Sequence, residues 1–230
     1  MFAKIRAVTF DCFGTLIDWR HGQERVLRQL PSLREHAHAL NALMDAREQA
    51  EQRLQRGPWL PYAEILARSL QEACDEALQV ELPGREADAF AAGQLGWPAF
   101  PDTAEALGRL TRKLPIGLLS NCDEEVLALC ARKHLGVPIP WLISAERAQS
   151  YKPAARHWEL FLEESGLTPA QVLHVSFTRD YDLDPAAALG FPLGFIARRG
   201  APAPEGLPLA VHARDLADLV DQVLAESEAA

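Results

Sequence analysis

Apolar positions change their spacing twice along the chain. Residues 5–10 form a short apolar run rich in β-branched and aromatic side chains, the pattern of a strand buried on both faces, and Gly14 lets the chain leave it sharply. From about Asp18 to Leu95 the apolar residues recur at helical spacing among Ala, Leu, Arg, Glu and Gln. This predicts helices over 21–30, 33–56, 62–78 and 84–93, broken at Gly57-Pro58 and Leu82-Pro83-Gly84. After Trp97 helix and strand patterns alternate: helices over 103–113, 124–134, 154–165, 185–189 and 213–226, strands over 114–119, 141–143, 172–176 and 193–197. The Pro/Ala stretch 201–208 reads as a loop.

Such alternation implies an α/β fold with a parallel sheet covered on both faces, whose first strand precedes Asp11. The helical block is then an insertion, a cap over the crevice at the strand ends. The expected division is a core of residues 1–17 and 96–230 with a cap of residues 18–95. Two short crossings near Ile17 and Leu95 predict that the cap hinges there.

Composition narrows the partners. The 230 residues are 48% hydrophobic, ample for a core, and 23 Lys plus Arg against 32 Asp plus Glu give a net charge of -9. That balance argues against nucleic acid or an anionic membrane and for a small-molecule substrate. No apolar run approaches the ~20 residues of a membrane span, and the N-terminus lacks the apolar stretch of a signal peptide; the expectation is a cytoplasmic protein, with homodimer formation left open. Cys12, Cys74, Cys122 and Cys130 are scattered without a C-x-x-C pair, which suits reduced thiols.

Asp11 carries the first chemical signal, because a carboxylate at the end of a parallel strand faces the ligand crevice. Ser120-Asn121, Lys152 and Asp182 recur at the ends of later predicted strands, where one site could gather them. Leu119-Ser120-Asn121-Cys122-Asp123 runs from strand into helix, so its hydroxyl, amide and N–H groups can hold an oxyanion. An ammonium from Lys152 beside Asp11 would lower the carboxylate's pKa and keep it ionised as a nucleophile. Each residue also has a plain reading: Ser120 or Asp123 as helix caps, Lys152 as a surface charge, Asp182 as a helix start. The seven histidines show no metal-ligand spacing, and His174 on its apolar strand reads as a satisfied core residue.

The ordered set D-x-F-G-T-L-x-D, L-S-N, Y-K-P and a late acidic segment resembles the haloacid dehalogenase superfamily over nearly the whole chain. The resemblance implies a Rossmann-like doubly wound core with an α-helical cap inserted after the first strand, and an aspartate nucleophile that forms a covalent ester or acyl phosphate. It gives Asp11 that role. Thr15 is the residue orienting it, Ser120 and Asn121 the anion-binding pair, Lys152 the charge balancing the carboxylates, and Asp182 the carboxylate orienting Lys152 or water.

Two departures select a branch. The superfamily's phosphatases place a second Asp two residues after the nucleophile as general acid, where this chain has Phe13, which cannot transfer a proton. They also hold Mg²⁺ with an acidic segment, and Phe177 stands where one of its carboxylates would be. The 2-haloacid dehalogenase branch instead carries an aromatic residue at the Phe13 position, needs no metal, and releases a halide that requires no proton. By this resemblance Phe13 contacts substrate, Arg47 in the cap contacts halide, and Trp59 and Tyr62 supply an apolar wall. Where that branch carries Tyr six residues after the lysine, this chain has Trp158, taken as a substrate contact. The expected function is a cofactor-free 2-haloacid dehalogenase. The alternatives are a phosphatase, which would use Mg²⁺, and a silent protein binding a small carboxylate or phosphate.

Overall fold

The structure, a computed structural model, describes residues 4–228. The chain divides into two compact units, one of Met1–Ile17 with Ala99–Ala230, the other of Asp18–Pro98. The first unit is built on a six-stranded sheet of order β3-β2-β1-β4-β5-β6, every pairing parallel. The strands are β1 Ala7–Phe10, β2 Ile116–Ser120, β3 Trp141–Ser144, β4 Val172–Ser176, β5 Leu193–Ile196 and β6 Leu209–Ala213. This is the doubly wound α/β arrangement the alternation implies, and the strand order reverses beside β1.

β1 and β4 are buried at every position. On one face of the sheet Leu119, Ile143, Val172, Leu193 and Phe195 pack with Trp158 and Phe161 of the helix Arg156–Ser165. The register pairs Phe10 with Leu118 on one side and Val175 on the other, so β1, β2 and β4 end together. The residues that follow, Asp11, Asn121 and Phe177, are thereby delivered to one edge. Ile17 and Ala99 form an antiparallel bridge, and Phe100 N–H donates to Leu16 O at 3.0 Å, so the chain leaves and re-enters this unit side by side.

The second unit is helical: Trp19–Leu27, Leu40–Gln55, Tyr62–Leu78 and Gly84–Ala92. Asp18 caps the first helix, accepting from His21 N–H at 3.1 Å. Leu43, Met44, Ile65, Leu66, Leu70, Ala73 and Phe90 are buried. The chain's second unit boundary falls at Pro98–Ala99, because Trp97 packs against Gly22 inside the helical unit.

Three elements differ from the sequence expectation. Residues 33–39 are not the start of a long helix but 3-10 turns over Pro31–Ala39, broken at His36 with φ -102° and ψ 15°. Pro31 and two near-adjacent histidines of modest helix propensity lie in that stretch. β6 fills the gap between the expected loop over 201–208 and the helix expected from 213; it is a short edge strand buried only at Val211 and Ala213, too brief for alternation to stand out. Between β4 and the helix Asp184–Ala188 the chain makes a π turn over Arg179–Leu183.

Candidate active site

Asp11 follows β1 directly, and its N–H donates to Val175 O at 3.0 Å, extending the ladder one residue past the strand. The chain then folds on itself: the N–H groups of Leu16 and Ile17 both donate to Cys12 O, at 2.9 and 3.0 Å, and Gly14 N–H donates to Ile17 O at 2.8 Å. Gly14 has φ +105°, and a Cβ there would lie 2.1 Å from the Phe177 ring, so both its dihedral and its bare surface are required. The turn brings Thr15 Oγ1 within 2.9 Å of Asp11 Oδ2, to which it donates, while accepting from Phe177 N–H at 3.3 Å. Arg198 supports the same turn, its Nε donating to Thr15 O at 2.9 Å and its Nη1 to both oxygens of Asp102, at 3.0 and 2.9 Å.

Lys152 Nζ lies between two carboxylates, 2.9 Å from Asp11 Oδ1 and 2.6 Å from Asp182 Oδ1. Its third proton goes to Leu119 O at 2.8 Å. The ammonium is 2% exposed and fully partnered. Asp182 is more crowded: besides Lys152, its Oδ1 lies 3.3 Å from His174 Nε2, and its Oδ2 accepts from Ser176 Oγ at 3.1 Å and Thr178 Oγ1 at 2.8 Å.

These environments drive the carboxylates apart. Burial is the largest influence on Asp11 and raises its pKa to about 6, against the attraction of Lys152 and with the help of the Asp182 charge. Lys152 therefore does not produce the net lowering expected from the sequence, because its charge is divided between two acids and outweighed by desolvation. Burial acts on Asp182 too, but Lys152 and His174 overcome it and hold the acid well below the usual carboxylate range. Lys152 itself is raised above an ordinary lysine: burial opposes its charge, and the two carboxylates outweigh burial. Near neutral pH the arrangement is one ammonium and two carboxylates, with Asp11 the more basic of the pair.

Ser120, at the end of β2, is fully buried; its hydroxyl lies against the Cys122 thiol and has no nitrogen or oxygen partner. Asn121 has a role the sequence did not show: its Nδ2 donates to Lys152 O at 3.1 Å and its Oδ1 accepts Lys152 N–H at 2.7 Å, so the amide holds the lysine backbone with one of its two N–H groups. Trp158 is corrected: it is fully buried in the hydrophobic core, edge-on to His174 with ring centroids 5.4 Å apart, not presented to a substrate. Phe13 is half-buried in the turn after Asp11.

Arg47 lies in the helical unit, 1% exposed, with Nη1 donating to Glu51 at 2.5 Å and Ser69 at 3.4 Å. The Trp19 and Phe90 rings are each 5.9 Å from its Cζ, and its Nε has no hydrogen-bond partner. Tyr62, expected as part of an apolar wall, turns its hydroxyl to Glu51 at 2.9 Å.

The donor set does not suit Mg²⁺. Asp182 has both oxygens filled by four donors, Asp11 is bound by Lys152 and Thr15, and Phe177 brings a ring against Gly14 in place of a carboxylate. Among the described residues no group of three or more His, Cys, Asp or Glu side chains is arranged to hold a metal.

Sequence reading missed Ser176, Thr178 and Thr9. The signal was the period of two: His174, Ser176 and Thr178 alternate along β4 and its extension, so one face of the strand is polar down to Asp182. Arg198 gave no comparable signal, since its partners Thr15 and Asp102 are distant in sequence.

A family model described as haloacid dehalogenase-like hydrolase matches residues 5–190. The chain is 31% identical to (S)-2-haloacid dehalogenase 4A of Burkholderia cepacia, with 95% of each chain covered. It is 26% identical to haloacetate dehalogenase H-2 of Moraxella sp. strain B, over 86% of this chain and 88% of that one. Among solved structures, the crystal structure of an L-2-haloacid dehalogenase with 26% identity superposes with a TM-score of 0.82, covering 96% of this chain and 99% of the other.

Proposed function

The chain belongs to the haloacid dehalogenase-like hydrolase family, and from that premise we propose that it hydrolyses the carbon–halogen bond of short 2-haloacids through an ester on Asp11. One Asp11 oxygen attacks the carbon bearing the halogen, the carbon–halogen bond breaks, and halide leaves with the bonding electrons. Water then adds to the Asp11 carbonyl carbon, the ester bond breaks, and a 2-hydroxy acid and the free carboxylate are regenerated. The water proton and the halide go to solvent. Attack at carbon inverts the substrate centre, and hydrolysis at the aspartyl carbonyl leaves it untouched.

The observation that carries this reading is the setting of Asp11: a buried carboxylate held by Lys152 and Thr15, more basic than an ordinary aspartate, with Phe13 where a proton donor for a leaving alcohol would stand. A halide needs no such donor. Lys152 holds Asp11 Oδ1, which becomes the ester carbonyl when Oδ2 attacks, so the ammonium stabilises the oxyanion formed during hydrolysis. The Ser120 hydroxyl, without an oxygen or nitrogen partner, suits the substrate carboxylate.

The test is to supply 2-chloropropionate and haloacetate, and separately a panel of phosphate esters, each with EDTA or with Mg²⁺. Halide and 2-hydroxy acid should appear regardless of metal. A single turnover in heavy-oxygen water should label the Asp11 peptide first. Phosphate release that depends on Mg²⁺, without dehalogenation, refutes the proposal.

A further inference from the structure

We infer that His174, fixed by Thr9, is a positioning residue that holds Asp182 and through it Lys152 during hydrolysis of the aspartyl ester. The inference rests on the ester mechanism proposed above and adds two residues to it.

The register of β1 and β4 sets Thr9 opposite His174, and Thr9 Oγ1 lies 3.0 Å from His174 Nδ1. The other ring nitrogen, Nε2, lies 3.3 Å from Asp182 Oδ1, the same oxygen that meets Lys152. Asp182, ionised among four donors, can only accept. Nε2 must therefore carry the proton, which leaves Nδ1 to accept the Thr9 hydroxyl. One tautomer satisfies both bonds. The ring cannot turn away, because Trp158 and Phe191 meet it edge-on with centroids 5.4 and 6.5 Å away and His174 is fully buried.

The arrangement matters unequally to the two half-reactions. In ester formation Asp11 loses negative charge, so an ammonium on Oδ1 stabilises the ground state more than the transition state. In hydrolysis negative charge develops on that oxygen, and a well-placed ammonium lowers the barrier. Once Asp11 is esterified its charge no longer holds Lys152, and Asp182 is the remaining carboxylate bonded to the lysine. Asp182 then sets the ammonium position, and His174 sets Asp182. An outer group that orients a reacting one commonly matters by about tenfold to a hundredfold.

The experiment follows halide release and intact protein mass after rapid mixing of the full chain with 2-chloropropionate. In His174→Phe and Thr9→Val the first halide burst should persist, steady-state turnover should fall about tenfold to a hundredfold, and the aspartyl ester should accumulate. His174→Gln, which keeps an N–H donor, and Thr9→Ser should restore most of the hydrolysis rate. Folded variants in which both steps slow equally, or in which no ester builds up, overturn the inference. If His174→Phe does not fold, Thr9→Val decides. A wild type that forms no ester with any 2-haloacid defeats the proposed function and this inference with it, whereas a wild type that forms the ester but carries the His174 proton on Nδ1, read by nitrogen NMR, overturns this inference alone.

Discussion

Asn121 and Lys152 exchange two hydrogen bonds, the lysine N–H donating to Asn121 Oδ1 at 2.7 Å and the asparagine Nδ2 to Lys152 O at 3.1 Å. The loop after β2 thus fixes the backbone of the residue whose ammonium joins Asp11 to Asp182. Asn121→Ala should cost about 1–3 kcal/mol of stability for the unpaired backbone groups. It should lower kcat on a 2-haloacid more than it raises KM. Denaturant unfolding and steady-state kinetics check this; a change in KM alone would assign Asn121 to substrate binding.

Lys152→Met leaves two buried carboxylates facing each other. At neutral pH the loss should be about 3–5 kcal/mol, the cost of breaking a buried pair. With its partner gone, one acid takes up a proton at higher pH than in the unfolded chain, so the variant's deficit should shrink as pH falls. Urea unfolding of both proteins at neutral and mildly acidic pH measures it, and a deficit that grows on acidification would contradict the picture.

Activity should follow the ionisation of Asp11. Only the carboxylate attacks carbon, and burial has moved its pKa from 3.8 to about 6. The kcat/KM for a 2-haloacid should therefore be level at higher pH and fall about tenfold per pH unit below about 6. A profile level down to pH 4 would mean that Lys152 outweighs burial.

Acid stability should depend on His157. Its Nε2 lies 3.2 Å from Ser120 O, so it is the donor, and its buried Nδ1 has no partner to receive a second proton. Burial and the Lys152 charge lower its pKa from 6.5 to about 3. Between those values the unfolded chain binds a proton that the folded chain does not, so stability falls with falling pH. The difference between wild type and His157→Asn should change across that window by about 1.4 kcal/mol per pH unit. Calorimetry at several pH values tests the slope. Asp11, raised in pKa, acts in the opposite direction below about 6, which is why the comparison is made against the single variant.

What was legible in the sequence was what lies close along the chain or repeats with a period. β1 ending in Asp11, the helix–strand alternation and the helical insertion all carry local signals. β6 was hidden by its brevity, and the turns over Pro31–Ala39 by a composition that still looks helical. Within the site, Asp11, Lys152 and Asp182 were found and do converge. The direction of the Asp11 shift was not, because it depends on how far burial outweighs one lysine shared by two acids. Trp158 was misread, and the bonds from Asn121 to the Lys152 backbone were not foreseen, because a side chain's partner is set by tertiary packing that no spacing records.

The central position of β1 also bears on how the chain is made. Of the six strands of the sheet Ala7–Phe10 is synthesised before the others, yet its neighbours are Ile116–Ser120 and Val172–Ser176. Until those are synthesised, an apolar, β-branched segment has both edges unpaired, the state in which chains associate with one another. Arg6 and Asp11 flank that segment as opposite charges of the kind that discourage such association. An acid at position 11 therefore suits the unpaired strand as well as the chemistry proposed for it.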